Sequence, residues 1–429
     1  MKQSKSYDAS LKEMYGLRRF GMILGLSTIR NMLKGLGHPQ NQYSAVHVAG
    51  TNGKGSVAAA LSSILHNAGF RVGLFTSPHL VRFNERICIN NSPITDGQVV
   101  SAYRAVKETY KGKRQPTFFE YSTAMAFHEF SRQKVDWAII ETGMGGRLDA
   151  TNVIKPKLAI ITNISMEHRT HLGSTLADIA GEKAGIIKRN VPVITGIEQK
   201  RAKSVIGAVA LEKSAPIYRY GDSFKVRRTP GDTFSYFGLK HVWKGLKTGL
   251  PGPHQIGNAA LVLAACECLM QKKVSLTLEQ IKTGLLDTKW PGRLEIVQQR
   301  PLVILDGAHN FMAARALKKY LTQALKDRKI TMVIGILDDK PYQAMLKSLL
   351  PGCHRVIVTK AGIDRALPAE TLYEASKQHV SDIKIIPRVA DALNYAIKTT
   401  PKKDAVCVAG SLYVVGEAKE VFEAEPQRQ

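Results

Sequence analysis

Short runs rich in valine and isoleucine recur along the chain, each ending in a polar or glycine-bearing turn. In the first part these are AVHVAG (45–50), RVGLFTS (71–77), DWAIIETG (136–143), KLAIITNIS (157–165) and VPVITG (191–196). Continuous apolar runs of this length, bounded by turn residues, are the pattern of strands buried on both faces of a parallel sheet. Between them apolar residues return at helical spacing, as in Val57, Leu61, Ile64 and Leu65, with Gly69 placed to end that helix. After WPGRLE (290–295) the strand pattern restarts with LVILDGAHN, TMVIGIL, RVIVTK, IKIIP and AVCVAGS. The expectation is an α/β fold in two domains, 1–295 and 296–429, each with helices flanking a mainly parallel sheet. Tyr218 to Leu250, with glycines, aromatics and alternating polarity, is expected to form an irregular β insertion. In such sheets ligands gather beyond the carboxyl ends of the strands, so polar residues just after each apolar run are the first candidates.

Composition narrows this picture. A chain of 429 residues is longer than single cores usually grow, which agrees with two domains. No apolar run approaches the ~18 residues needed to span a bilayer, and the opening MKQSKSYDAS lacks the apolar core of an export signal. The five cysteines are odd in number and contain no CxxC pair, so neither a disulfide framework nor a thiolate zinc site is expected. A cytoplasmic protein fits these features. The net charge of +26 would attract polyanions, but the basic residues are scattered and no nucleic-acid-binding signature accompanies them.

The chemistry centres on HVAGTNGKGS (47–56), which carries the glycines and lysine of a phosphate-binding loop with Gly55 inserted between Lys54 and Ser56. It follows a strand and opens a helix, where backbone N–H groups and the positive helix end attract phosphate oxygens. Lys54 adds a mobile charge, and Ser56 can offer its hydroxyl to magnesium. Glu141, at the end of the WAII run, can hold that ion directly or through water. TNISMEHRTHLG adds Glu167, His168 and His171, and TSPHLVRFNERI adds Ser77 and His79. Taken alone, His171 reads as a surface residue and Ser77 as a turn or cap residue.

Several further segments stand in order behind the loop: TSPHL…ERI, TFFEYSTAMAF, ETGMGGRLDATN, GEKAGIIK, LPGPHQIGNAALVLAA, WPGRLE, LDGAHN and AGSLYVVGE. Together with the loop they resemble the folylpolyglutamate synthase/dihydrofolate synthase family of the Mur ligase superfamily, from about the first helix to the C-terminal strand. The GTNGKGS spelling is that superfamily's own. The resemblance implies an N-terminal P-loop Mur-ligase-type ATP-binding domain (1–295) and a smaller C-terminal Rossmann-like glutamate ligase domain (296–429). It also implies an ATP-dependent ligase that makes an acyl phosphate and joins it to L-glutamate.

Residue roles follow from the same resemblance. Asn52, Gly53, Lys54, Gly55 and Ser56 would cradle ATP, with Asn258, Arg293 and Asp306 as further nucleotide contacts. Ser56, Ser77, Glu141 and His168 would serve magnesium. Lys183 matches a lysine that is carbamylated in the family; its plain alternative is a lysine paired with Glu182 or a phosphate. His309, with Asp306, would reach the incoming glutamate, and Ser411 is a candidate near the same place, so catalysis and closure between the domains are expected. Leu26, Phe118, Phe119, Leu148, Asp149 and Ala150 match positions that hold dihydropteroate. For Phe118 and Phe119 the alternative is core packing, and for Asp149 an ion pair with Arg147. The chain departs from the family pattern at Glu167, where Asp is usual, at Arg169 for a common Thr, at Phe311 for a customary proline and at Pro341 for an acid.

The leading expectation is a bifunctional enzyme that adds the first glutamate to dihydropteroate and then extends tetrahydrofolates. Its cofactors would be ATP and Mg²⁺, with a carbamylated Lys183. It would act as a monomer, without nucleic acid or membrane. The alternatives are polyglutamylation alone, a Mur-type ligase acting on a cell-wall nucleotide precursor, and a basic P-loop NTPase acting on nucleic acid.

Overall fold

A computed structural model describes residues 2–17, 23–167 and 169–424. The chain divides into two compact units, Met1–Gly249 with Gln255–Lys289, and Leu250–His254 with Trp290–Gln429. Residues 290–295, expected to close the first domain, are therefore part of the second unit. No helix among the described residues is long and apolar enough to cross a membrane.

The first unit is built on an eight-stranded sheet. Across it lie Ser92–Pro93, Ile87–Ile89, Val72–Phe75, Trp137–Glu141, Ser44–Ala49, Leu158–Ile161, Val193–Thr195 and Ile217–Arg219. The first two pair antiparallel at one edge, and the others run parallel. The apolar runs are its buried strands, as both-face burial requires. Phe75, Phe83, Phe127 and Phe130 belong to one core cluster, and Ile161, Ile179, Ile186 and Ile206 to another. Strand order turns back around Ser44–Ala49, which pairs with Trp137–Glu141 on one side and Leu158–Ile161 on the other. Its carboxyl end is thus the switch point where a ligand is expected, and the phosphate loop begins there.

The insertion is more regular than the sequence suggested. Ile217–Arg219 joins the main sheet, while Lys225–Thr229, Thr233–Phe237 and Val242–Leu246 form a three-stranded antiparallel sheet. In TFSYF the aromatic rings of Phe234 and Tyr236 are fully buried, and Ser235 between them is buried as well. Glu267, buried in the helix Pro253–Gln271, accepts hydrogen bonds from Tyr236 Oη and from the amides of Leu239, Lys240 and His241. Glu267→Ala would strand these donors, so we expect a loss of about 3 kcal/mol in urea unfolding, with Glu267→Gln losing less.

In the second unit the sheet order is Glu295–Gln299, Leu302–Leu305, Ala405–Ala409, Ile330–Ile334, Arg355–Lys360 and Ile383–Arg388. Only the first strand is antiparallel to its neighbour. Leu305 pairs with Val408, which brings the turns after LVIL and AVCVA side by side.

Candidate active site

The loop is shaped by close backbone approach. Gly50 has φ +146°, and a Cβ there would strike the Thr162 hydroxyl. Gly53 has φ +82° and faces Asn258, whose Oδ1 would lie 2.6 Å from any added Cβ. Only glycine suits both conditions. The TNIS segment after the neighbouring strand holds the loop from beneath. Asn163 Oδ1 accepts from Asn52 N–H at 2.9 Å, and its Nδ2 donates back to the Asn52 carbonyl. Thr162 Oγ1 also donates to that carbonyl, and Thr51 Oγ1 accepts from Ser165 N–H. Val57 N–H makes the first i→i−4 bond, to Gly53, so the amides of residues 54–56 form the open helix N-terminus. Ser56 is buried and accepts from Gln255 Nε2 at 3.3 Å, while Asn258 donates to Gln255.

Charged groups converge beside this loop. Lys54 Nζ donates to the Thr51 carbonyl at 3.1 Å and lies 3.9 Å from Glu141 Oε1. The other Glu141 oxygen accepts from Ser77 N–H at 3.2 Å, which places Ser77 against the expected metal carboxylate. Lys183 is 1% exposed and donates to the Gly50 carbonyl and to Glu167 Oε1, each at 2.9 Å. Its partner is thus Glu167 and not Glu182, which pairs with Arg147. Burial lowers the Lys183 pKa, opposed by Glu167 and reinforced by Lys54. His168 lies outside the described residues. Among the described residues no group of three His, Cys, Asp or Glu could hold a metal. One carboxylate, one hydroxyl and phosphate oxygens instead suit magnesium, which keeps several waters and few protein ligands.

The positions expected to hold a pterin lie around two turns. Thr117 and Glu120 form a capping box that starts the helix Phe118–Arg132, and Arg114 pairs with the buried Glu120. Phe118 then meets Tyr15 and Phe83, with the Arg86 guanidinium 5.1 Å above its ring. Arg86 is itself buried and donates to His79 Nδ1. Phe119 points elsewhere, against Phe75 and over Gly143, where a side chain would collide with its ring. Both rings are half-buried and pack against the same core cluster. Leu26 precedes the helix Ser27–Gly35 and packs on the same core as Phe118. In the ETGMGGRLDATN turn Leu148 is half-buried and Ala150 buried.

Asp149 makes no ion pair with Arg147. Its carboxylate accepts from the Met144 amide and from both the amide and hydroxyl of Thr151. Burial raises its pKa, and these bonds oppose the rise. Thr151 Oγ1 also meets Nε2 of His47, which is fully buried. Burial, with the charge of Lys188, lowers His47 to about 3 from its ordinary 6.5. Unfolded His47 takes a proton below about 6.5 that the native ring refuses until about 3. Its stabilising effect is full above the upper value and lost as pH falls through this window. Urea unfolding at about pH 4.5 and about pH 7.5 should show a smaller acid loss for His47→Gln than for the native chain.

Two family models match this chain, the Mur ligase middle domain over residues 48–266 and the Mur ligase glutamate ligase domain over residues 292–412. The dihydrofolate synthase/folylpolyglutamate synthase of Bacillus subtilis (strain 168) is 38% identical over 427 residues, covering 96% of this chain and 98% of its own. The chain belongs to the folylpolyglutamate synthase/dihydrofolate synthase family of Mur ligases. Solved structures of this synthase family agree. Escherichia coli FolC in complex with DHPP and ADP has a TM-score of 0.89 at 31% identity, over 97% of this chain and 98% of that one. The bifunctional Yersinia pestis enzyme with AMPPNP and Mn ion has a TM-score of 0.87 at 30% identity, with the same coverage.

In this synthase the glutamate ligase domain gathers its own polar cluster. Asp306 N–H bonds to Val408 and Gly410 N–H to Ala308, so the turns carrying Asp306, His309 and Ser411 meet. Asp306 is buried and accepts from the amides of Leu294 and Ala308. Burial raises its pKa, opposed by Arg293. Arg293 Nη1 bonds to the Gly292 carbonyl, which also accepts from Gly307 N–H and so ties WPGRLE to the Asp306 turn. His309 Nδ1 sits 2.7 Å from the Gly307 carbonyl. Asn310 caps the helix Phe311–Ala324, so Phe311 starts it without the customary proline. Ser411 is 1% exposed, and its hydroxyl accepts from Tyr413 N–H as a helix cap. Sequence reading passed over Thr162, Asn163 and Gln255, which shape the loop, and over Arg86 beside Phe118. Asn163 stood in the quoted TNIS segment, directly after a strand, which is the signal that marked Glu141.

Proposed function

We propose that this protein adds L-glutamate to dihydropteroate and extends tetrahydrofolates by further glutamates, using ATP to activate the acceptor carboxylate as an acyl phosphate. The observation that carries this reading is the open helix N-terminus at residues 54–56 with Lys54, Glu141 and the Lys183–Glu167 pair around it. Its chemistry is suited to moving a phosphoryl group and not merely to binding one. A carboxylate oxygen of the acceptor attacks the γ-phosphorus and ADP leaves. Lys54 and the amides of the loop offset the charge on the transferring oxygens. The amine of glutamate then attacks the acyl carbon, gives up its proton and expels phosphate.

Ser56 and Glu141, with Ser77 and His168, would hold magnesium, which would neutralise the phosphate oxygens when bound. Asn52, Gly53 and Gly55 shape the cradle, and Asn258 supports it through Gln255. Lys183 as a carbamate would place an anion beside Gly50. Burial lowers its pKa, against the pull of Glu167, which eases loss of the proton that must leave before the amine can capture carbon dioxide. In the glutamate ligase domain, Arg293 and Asp306 serve the nucleotide, and His309 serves the incoming glutamate. With Nδ1 on the Gly307 carbonyl, Nε2 of His309 is the basic nitrogen. Ser411 acts by capping its helix. Leu26, Phe118, Leu148, Asp149 and Ala150 border the acceptor, and Phe119 backs them. The protein works as a monomer.

Purified protein would be incubated with MgATP and L-glutamate, offering dihydropteroate and tetrahydrofolate separately, with phosphate release and product mass as readouts. Both acceptors should gain glutamate. Product from tetrahydrofolate alone would leave polyglutamylation only, and product from neither would overturn the reading.

A further inference from the structure

The hydrogen bonds around Asp149 lead away from the candidate acceptor turn into the sheet. Thr151 Oγ1 donates its only proton to Asp149 Oδ1 across a short 2.5 Å contact. The same oxygen stands 2.9 Å from His47 Nε2, so Nε2 must carry the hydrogen and donate to it. That leaves His47 Nδ1 as a bare acceptor, a buried atom with no hydrogen-bond partner among the described residues. A fully buried ring on the central strand with one nitrogen left unsatisfied is costly, and its one bond goes to Thr151.

Thr151 on its own could turn its hydroxyl toward several acceptors. With His47 donating into it, the hydroxyl proton has one direction left, Asp149. The Met144 amide fixes the other carboxylate oxygen. The carboxylate plane, and with it the GMGGRLDA turn, is therefore set from the strand that leads into the phosphate loop, since His47 stands three positions before Gly50.

We infer that His47 is a positioning residue for the acceptor, acting through Thr151 to fix the Asp149 carboxylate and so the turn on which the pteroyl group rests. This rests on the proposal that residues 148–150 border the acceptor. His47 touches neither substrate nor nucleotide. Its effect falls on how well the turn is formed before the acceptor arrives, and so on acceptor KM.

The test measures kcat and the KM for dihydropteroate, tetrahydrofolate and ATP, together with Tm, in His47→Leu, His47→Gln, Thr151→Val, Thr151→Ser and Asp149→Asn. Glutamine can donate from Nε2 as histidine does, and serine keeps the relaying hydroxyl. His47→Leu and Thr151→Val should raise acceptor KM about tenfold while ATP KM stays within about twofold, and the Gln and Ser variants should recover most of the loss. If His47→Leu does not fold, Thr151→Val against Thr151→Ser decides alone. Acceptor KM raised by Asp149→Asn but by neither His47→Leu nor Thr151→Val would overturn the relay and leave the acceptor site standing. No rise even with Asp149→Asn would remove the acceptor reading and the relay with it. Equal rises in acceptor and ATP KM that follow the loss of Tm would reduce His47 to a structural part and also overturn the inference.

Discussion

Lys54→Ala is expected to lower ATP-dependent glutamate addition by about 10³-fold or more while leaving Tm within about 3 °C of the native value. The two halves of this expectation have different causes. Lys54 is the first residue of the helix that opens at the loop, held by the Thr51 carbonyl and by Glu141 at 3.9 Å. In phosphoryl transfer the protein's part is chiefly to place charge against the oxygens that gain it, so removing a fixed cation removes much of the catalysis. Stability depends little on it, because its pairing with Glu141 is long and its side chain is not in the core. Glu141 also keeps its bond from Ser77 N–H. The assay is phosphate release at saturating ATP with dihydropteroate as acceptor. Activity within about tenfold of native would mean that the loop holds phosphate without acting on it.

How much of this was legible before the structure can be traced residue by residue. The parallel strands declared themselves because they are buried on both faces and so must be apolar throughout. The insertion was legible only in outline, as β structure between Tyr218 and Leu250, since Lys225–Thr229 and Val242–Leu246 expose half or more of their residues and burial in TFSYF does not alternate. Its anchor, Glu267, sits inside a helix that reads as plain core. The phosphate loop was legible because glycine at positive φ and close backbone approach leave few other residues possible. The partners of its charges were not. Glu182 is next to Lys183 in sequence but is turned about 100° around the helix from it, whereas Glu167 arrives from another segment. Arg147 likewise stands near Asp149 in sequence yet reaches out to Glu182. Nearness along the chain is a poor guide to ion pairing where the backbone turns sharply.

The second large effect concerns that same buried pair. Lys183→Met should cost about 3 kcal/mol of stability and abolish turnover, and the two losses can be separated. Removing the lysine takes the Lys183 ammonium away from the largely enclosed Glu167 carboxylate, and breaking an ion pair at a poorly solvated charge is the expensive case. The Gly50 carbonyl also loses its donor at the point where the loop begins. Adding Glu167→Gln removes the carboxylate charge that faced the lysine, so the double variant should regain most of the stability in urea unfolding. It should not regain activity, because neither an ammonium nor a carbamate can form at a methionine. If Lys183 works as a carbamate, intact-protein mass should show an added carbon dioxide that Lys183→Met lacks, and activity of the native chain should rise with bicarbonate. The direction with pH follows from the amine's titration, whose pKa burial lowers: more of it is neutral as pH rises, so carbamylation should increase with pH. A double variant that recovers activity along with stability would show that the pair serves the fold alone.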